Sequence, residues 1–187
     1  MLPLHPRSTL GFHPSFSARP PPMQTDTAMA ISSTEVLTVG AIGLEAPRAL
    51  LARYALALQH VPDGAAIPGS YWGEPEAGVI ASNVYVRDDT PVHSLLHEAC
   101  HLIVLSPQRR AQVHTDATDS VEEEDAACYL QIMLADALPG VGRARLMADM
   151  DAWGYNYRLG STQAWFEQDA EEARIWLTQR GLLPPQA

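Results

Sequence analysis

The chain has 187 residues, 47% of them hydrophobic, which is enough for the core of one ordinary domain and scarcely of two. Acidic side chains outnumber basic ones by 22 to 12, a formal charge of −10, so a phosphate backbone would meet net repulsion and nucleic acid is excluded as a main partner. Two cysteines, Cys100 and Cys128, make no disulfide framework, and neither a secretion-type apolar stretch nor a run of about 18 apolar residues is present; the expectation is a soluble, cytoplasmic chain with no membrane partner.

Residues 1 to 34 hold six of the 15 prolines and few aliphatic side chains, a composition that buries too little apolar surface to offset chain entropy, and disorder is expected there. The remainder, 35 to 187, is expected to form a single domain. From Leu44 the pattern turns helical: Pro47 suits a first turn, and Leu50, Leu51, Tyr54, Ala55 and Leu58 recur at three-to-four spacing until near His60, ahead of Pro62. A loop rich in Gly and Pro follows as far as Gly78. The β-branched and aromatic run Val79 to Val86 then predicts one strand.

Thr90-Pro91 opens the next helix, capped by Asp89 or Thr90, and its apolar pattern continues to about Leu105 before Pro107 stops it. Residues 106 to 120 read as loop. Helices are expected from Val121 to about Leu138, from Val141 to Trp153, and from Ser161, a suitable N-cap, to Arg180. The fold class is therefore α+β, mostly helical with a small β-sheet.

The expected second helix contains His97-Glu98-Ala99-Cys100-His101, the spacing His-Glu-x-x-His. On a helix, residues i and i+4 lie one above the other, so both imidazoles reach a single ion. Glu98 is turned about 100° further round, a placement from which its carboxylate reaches a water at the ion without ligating. Zinc is the expected cofactor, because it accepts two imidazoles and one further N or O donor while keeping a fourth position open.

The third ligand is expected from the helix beginning at Val121, which carries Glu122, Glu123 and Glu124 in its first turns and then small residues, Ala126 and Ala127, that permit a close approach to the histidine helix. The plain alternative for such acids is that they complement the helix dipole and face water. Helical period favours Glu123, whose face continues through Ala127, Leu130 and Leu134; Glu124 is the second choice and Glu122 the third.

With a downstream helical glutamate, this motif resembles the gluzincin group of zinc metallopeptidases, over roughly residues 79 to 135, and is most similar to its minimal single-domain members. The His-Glu-Ala-Cys-His signature, together with Cys128-Tyr129-Leu130-Gln131, is also similar to a bacterial family that implies no activity of its own. The gluzincin resemblance implies a zincin-like core of strand, motif helix and glutamate-bearing helix. It implies zinc held by His97, His101 and Glu123 or its neighbour, Glu98 as general base, and a peptide or protein substrate whose backbone lies along Ser82 to Val86. Many gluzincins carry an Asp or Asn four residues after the ligand Glu; here that place belongs to Ala127 or Cys128.

Two other classes fit the same residues. One is a catalytically inactive, metal-stabilised binding or regulatory module; the other is a hydrolase of a non-peptide amide or ester. Secondary candidates are His93, one turn before His97, as a substrate contact; His114 as an oxyanion contact; and Tyr155 and Tyr157 as donors to a tetrahedral intermediate. If Val79 to Val86 is an edge strand, it can align an extended peptide by strand addition, with pockets lined by Tyr85, Trp72 or Tyr155.

Overall fold

The computed structural model describes residues 35–71, 73–118 and 120–184. The proline-rich 1–34 segment and Trp72, to which the sequence assigned disorder and a pocket role, lie outside the described residues. The class is α+β, with eight α-helices and one three-stranded sheet among the described residues. No described helix is long and apolar enough to cross a membrane.

Two short helices, α1 (Val39–Ile42) and α2 (Glu45–Ala52), lead into the sheet. The helix expected to reach His60 stops at Ala52: Ala55 adopts a left-handed φ of 56°, and Ala57–His60 is instead strand β1. Leu58 fits the helical spacing by coincidence. Its place is fixed by pairing, parallel, with Val84.

The single strand expected over Val79 to Val86 is a hairpin of β2 (Gly78–Ile80) and β3 (Asn83–Val86), turned at Ala81, whose φ is 52°. Sheet order is β1-β3-β2, with β3 parallel to β1 and antiparallel to β2. The segment Ser82 to Val86 is therefore central and bonded on both sides, which overturns strand addition along it. The outer side of β2 is also occupied: Val79 N–H donates to the Gly69 carbonyl, the Val79 carbonyl accepts from Thr115 N–H, and Ala81 N–H donates to the Val113 carbonyl, all within 3.1 Å.

Helix α3 (Val92–Val104) follows as expected, but Pro91 is its N-cap residue and supplies no side-chain bond. The Thr90 hydroxyl accepts from Arg87 N–H at 2.9 Å instead, closing the turn between β3 and α3. At the other end, Arg110, which follows from the short helix α4 (Pro107–Arg110), donates to the Leu102 carbonyl at 2.8 Å and to the Tyr54 carbonyl at 2.9 Å. It thereby satisfies a carbonyl in the last turn of α3.

Helix α5 (Val121–Leu134) is capped by Ser120, whose hydroxyl accepts from Glu123 N–H at 3.3 Å. Ala126 and Ala127 are fully buried and let α5 lie close along α3. A 3-10 turn (Ala135–Ala137) leads to α6 (Gly142–Trp153). The fifth expected helix is broken at Asp169-Ala170 into α7 (Thr162–Gln168), capped by Ser161, and α8 (Glu171–Gln179). At this break the Asp169 carboxylate pairs with Arg158, from the loop ahead of α7.

The core gathers around α3. Of its thirteen residues, all but Glu98 are buried. Val79, Val84 and Val86 of the sheet and Leu130 and Ile132 of α5 belong to the same apolar cluster as Leu95, Leu96 and Leu102.

Candidate metal centre

A helix buried on nearly every side cannot leave two imidazoles unpaired without a reason, since each carries nitrogens that need partners away from water. His97 and His101, one turn apart on α3, are each 8% exposed, and their Nε2 atoms face one another at 3.0 Å. The third member of the group is Glu124, from the first turns of α5. Its Oε1 lies 3.5 Å from His97 Nε2 and its Oε2 lies 3.3 Å from His101 Nε2.

The group His97, His101 and Glu124 could hold a metal ion. An ion bound tetrahedrally at about 2.0–2.1 Å spaces its donors about 3.3 Å apart, and the three observed separations bracket that value. Burial, with His97 beside it, lowers the His101 pKa to about 4 against the opposing pull of Glu124 and Glu123, so its ring is neutral at pH 7, the form that ligates. Burial pushes the Glu124 carboxyl up, but the two imidazoles and the Cys128 thiol bring it below the ordinary carboxylate value. The donor set and its protonation both suit a divalent cation.

Glu124 thus corrects the preference for Glu123. Glu123 is turned to the other flank of α5, where both its oxygens are engaged by the Arg109 guanidinium and Thr118 Oγ1 donates to Oε2 at 2.5 Å. Arg109 is the first cause of its lowered pKa. Glu122 is exposed and accepts from Ser120 Oγ at 2.7 Å. The position four residues beyond the ligand carboxylate is therefore Cys128, whose thiol donates to Glu124 Oε1 at 3.6 Å.

Glu98, the one residue of α3 that is only partly buried, stands beside the donor group. Its pKa is raised well above the carboxylate range by burial and then by Glu124, Glu76 and Asp116. Around Glu98 the like charges of Glu124, Glu76 and Asp116 oppose a further negative charge. A bound cation would relieve this repulsion.

The secondary candidates separate clearly. His93 is 1% exposed rather than a solvated first-turn residue; it packs against Trp153 at 5.2 Å and Tyr155 at 5.6 Å, and burial lowers its pKa to about 3. Tyr155 meets the His97 ring edge-on at 6.0 Å and stacks on Tyr157, which in turn stacks on Trp165. His114 is exposed and bonds to its neighbour Thr115, and it is not a member of the donor group. Cys100 is fully buried in the core and is not part of the site. The Nδ1 atoms of His97 and His101 are buried without a hydrogen-bond partner among the described residues, so packing against Tyr155 and α5 orients the rings.

Sequence reasoning did not single out Glu76 or Trp153. Trp153 Nε1 donates to Glu76 Oε1 at 2.9 Å beside this pocket. The two residues are 77 positions apart in the chain, and no local pattern signals their meeting. Comparison with family models, curated proteins and solved structures finds no match.

Proposed function

We propose that this chain is a zinc-dependent hydrolase of amide bonds, with a peptide as the leading substrate class and Glu98 as general base. The observation that carries the reading is the placement of Glu98: the one side chain that α3 leaves partly open to solvent is a carboxylate adjacent to the donor group of His97, His101 and Glu124. A zinc ion held by those three side chains would supply Lewis acidity toward a carbonyl oxygen and lower the pKa of water.

Glu98 then takes a proton from the attacking water and returns it to the leaving nitrogen. Burial and three neighbouring carboxylates raise the Glu98 pKa, and the charge of a bound ion would oppose that shift and leave the carboxylate able to accept a proton. His97, His101 and Glu124 keep their positions because α3 and α5 pack closely through Ala126 and Ala127. Tyr155, edge-on to His97, forms part of the wall where a carbonyl would sit. The gluzincin resemblance supports this reading through the motif and one helical glutamate, now Glu124.

The paired state of β3 and the covered outer side of β2 favour, as a second reading within this chemistry, a small amide over an extended chain. Glu98→Gln tests the hydrolase reading. With zinc content measured by elemental analysis in parallel, the variant should lose turnover at least about 100-fold while keeping its metal. Unchanged turnover would remove Glu98 as the general base, and a wild-type protein that cleaves no amide or ester in a substrate screen would leave the metal-stabilised binding module as the correct class.

A further inference from the structure

The residue after Glu76 fixes where Glu76 stands. Ala77 donates its backbone N–H to Ser94 Oγ at 3.0 Å, pinning the chain ahead of β2 to α3 one turn before His97. From there the Glu76 carboxylate reaches the end of α6, where Oε1 accepts the Trp153 indole N–H. Trp153 packs on His93, His93 on Tyr155, and Tyr155 on His97. One continuous wall of side chains therefore runs from the Glu76 carboxylate through the rings of Trp153, His93 and Tyr155 to His97 of the donor group.

The charge on this wall is unbalanced. Among the described residues no arginine forms an ion pair with Glu76. The charged groups that sense it are the site's own: His97 acts on Glu76, and Glu76 in turn acts on Glu98 and Tyr155. A divalent ion held by two neutral imidazoles and Glu124 keeps one positive charge, which the Glu98 carboxylate offsets. Glu76 and Asp116 are then surplus anions; Asp116 is exposed to water, whereas Glu76 is half-buried and accepts the Trp153 indole N–H.

We infer that Glu76 receives an ammonium group of the substrate, so that the site takes amides bearing a free amine and discriminates against neutral, N-blocked ones. A half-buried carboxylate is the chemistry that recognises such a cation, through a charge-assisted hydrogen bond. A neutral ligand would leave the carboxylate desolvated and unpaired, and that penalty provides the discrimination. The ammonium can come from a peptide α-amine or from a lysine side chain. This inference rests on the hydrolase reading for the identity of the bond cleaved.

The test measures binding on full-length, zinc-loaded Glu98→Gln protein, so that turnover does not intervene. Calorimetric titration uses three probes: alanyl-phenylalaninamide, its N-acetylated twin, and N-acetyl-lysinamide. At least one ammonium-bearing probe should bind tenfold or more tightly than the acetylated dipeptide, and which one does identifies the source of the amine. Adding Glu76→Gln, whose side-chain carbonyl still accepts from Trp153, should bring that probe down to the acetylated level without changing zinc content. Glu76→Asp, which keeps the charge, should retain part of the preference, and it serves as the control should Glu76→Gln lose its fold.

Equal binding of blocked and free probes, binding of none, or a preference that survives Glu76→Gln overturns the inference. Failure of the hydrolase reading gives a different result. The ammonium preference is then present in Glu98→Gln, while the wild-type protein turns over none of the three probes.

Discussion

Cys128 stands one helical turn beyond Glu124 on α5, and its thiol donates to the same carboxylate oxygen that faces His97. Burial raises the Cys128 pKa well above its usual value, so the thiol keeps the proton it donates, and the Tyr157 hydroxyl lies next to it on the far side. Groups behind a metal ligand typically contribute about 10- to 100-fold in affinity. Cys128→Ala should weaken zinc binding about tenfold in competition with a chromophoric chelator, whereas Cys128→Ser, which keeps a donor, should stay within about threefold of wild type. Equal affinities for all three proteins would show that the thiol does not orient Glu124.

The two central glutamates of α5 have separate roles, and substitution distinguishes them. Glu124→Gln should lower zinc affinity at least about tenfold. Glu123→Gln should leave zinc content unchanged but lower unfolding free energy by about 1 kcal/mol, a modest figure because Arg109 is largely exposed. The Glu123 pKa is depressed in the folded state, so its contribution is present above the unfolded carboxylate pKa and is lost as pH falls through the folded value. Denaturant unfolding of the Glu123 variant at neutral and acid pH checks both the size and the sign.

Asp125 has the opposite dependence. Burial, followed by Glu124, Asp169, Glu122 and Glu172, raises its pKa to about 6 from an ordinary 3.8. The folded state then holds a proton that the unfolded chain releases, so the contribution to stability is fully present below the unfolded value and is lost as pH rises through about 6. Asp125→Asn in metal-free protein should therefore raise stability at pH 7 by about 1 kcal/mol, with most of the gain gone near pH 4. A gain independent of pH would exclude Asp125 as its source.

Metal removal should be visible in the melting curve. A ligand present at about 1,000 times its Kd stabilises by about 4 kcal/mol, and a strong chelator withdraws that amount. His97→Ala should melt at the same temperature with and without added zinc. If the wild-type protein behaves likewise, the group of His97, His101 and Glu124 does not bind the ion.

Gly78 is held where no other residue fits. A Cβ there would lie 2.2 Å from the Pro68 carbonyl oxygen and 2.4 Å from Ser70 N, both backbone atoms. Gly78→Ala should cost about 3 kcal/mol and deplete soluble protein, because it separates the 68–70 segment from β2. A variant that melts with wild type would contradict this tight packing.

The motif helix and its two histidines were legible from the sequence because α3 combines a strong apolar pattern with a motif whose meaning depends only on helical pitch. The Ser161 cap and the α+β class were legible for the same reason: both rest on local chemistry. Choosing among Glu122, Glu123 and Glu124 was harder, since α5 is buried on almost every side from Ala126 to Ile132 and has no single apolar stripe to set its rotation. That rotation is set by packing against α3.

The hairpin was hidden because Ala81 and Ser82 carry none of the usual Asn-Gly or Asp-Gly turn chemistry. β1 was hidden because Ala57 to His60 owes its extended form to pairing with residues 26 positions further on. Glu76 could not be found at all, as its role depends on Trp153 arriving from the far end of α6.

The near-complete burial of α3 has a kinetic consequence. With every residue of α3 but Glu98 buried, His97 and His101 are closely packed, and Glu124 is the more open member of the donor group. The imidazoles come from α3 and the carboxylate from α5, so the rate of metal exchange should follow local opening of that helix pair as well as the Kd. Zinc added to the folded apoprotein would enter slowly, and zinc present during refolding would be captured at once, as the chain closes around it.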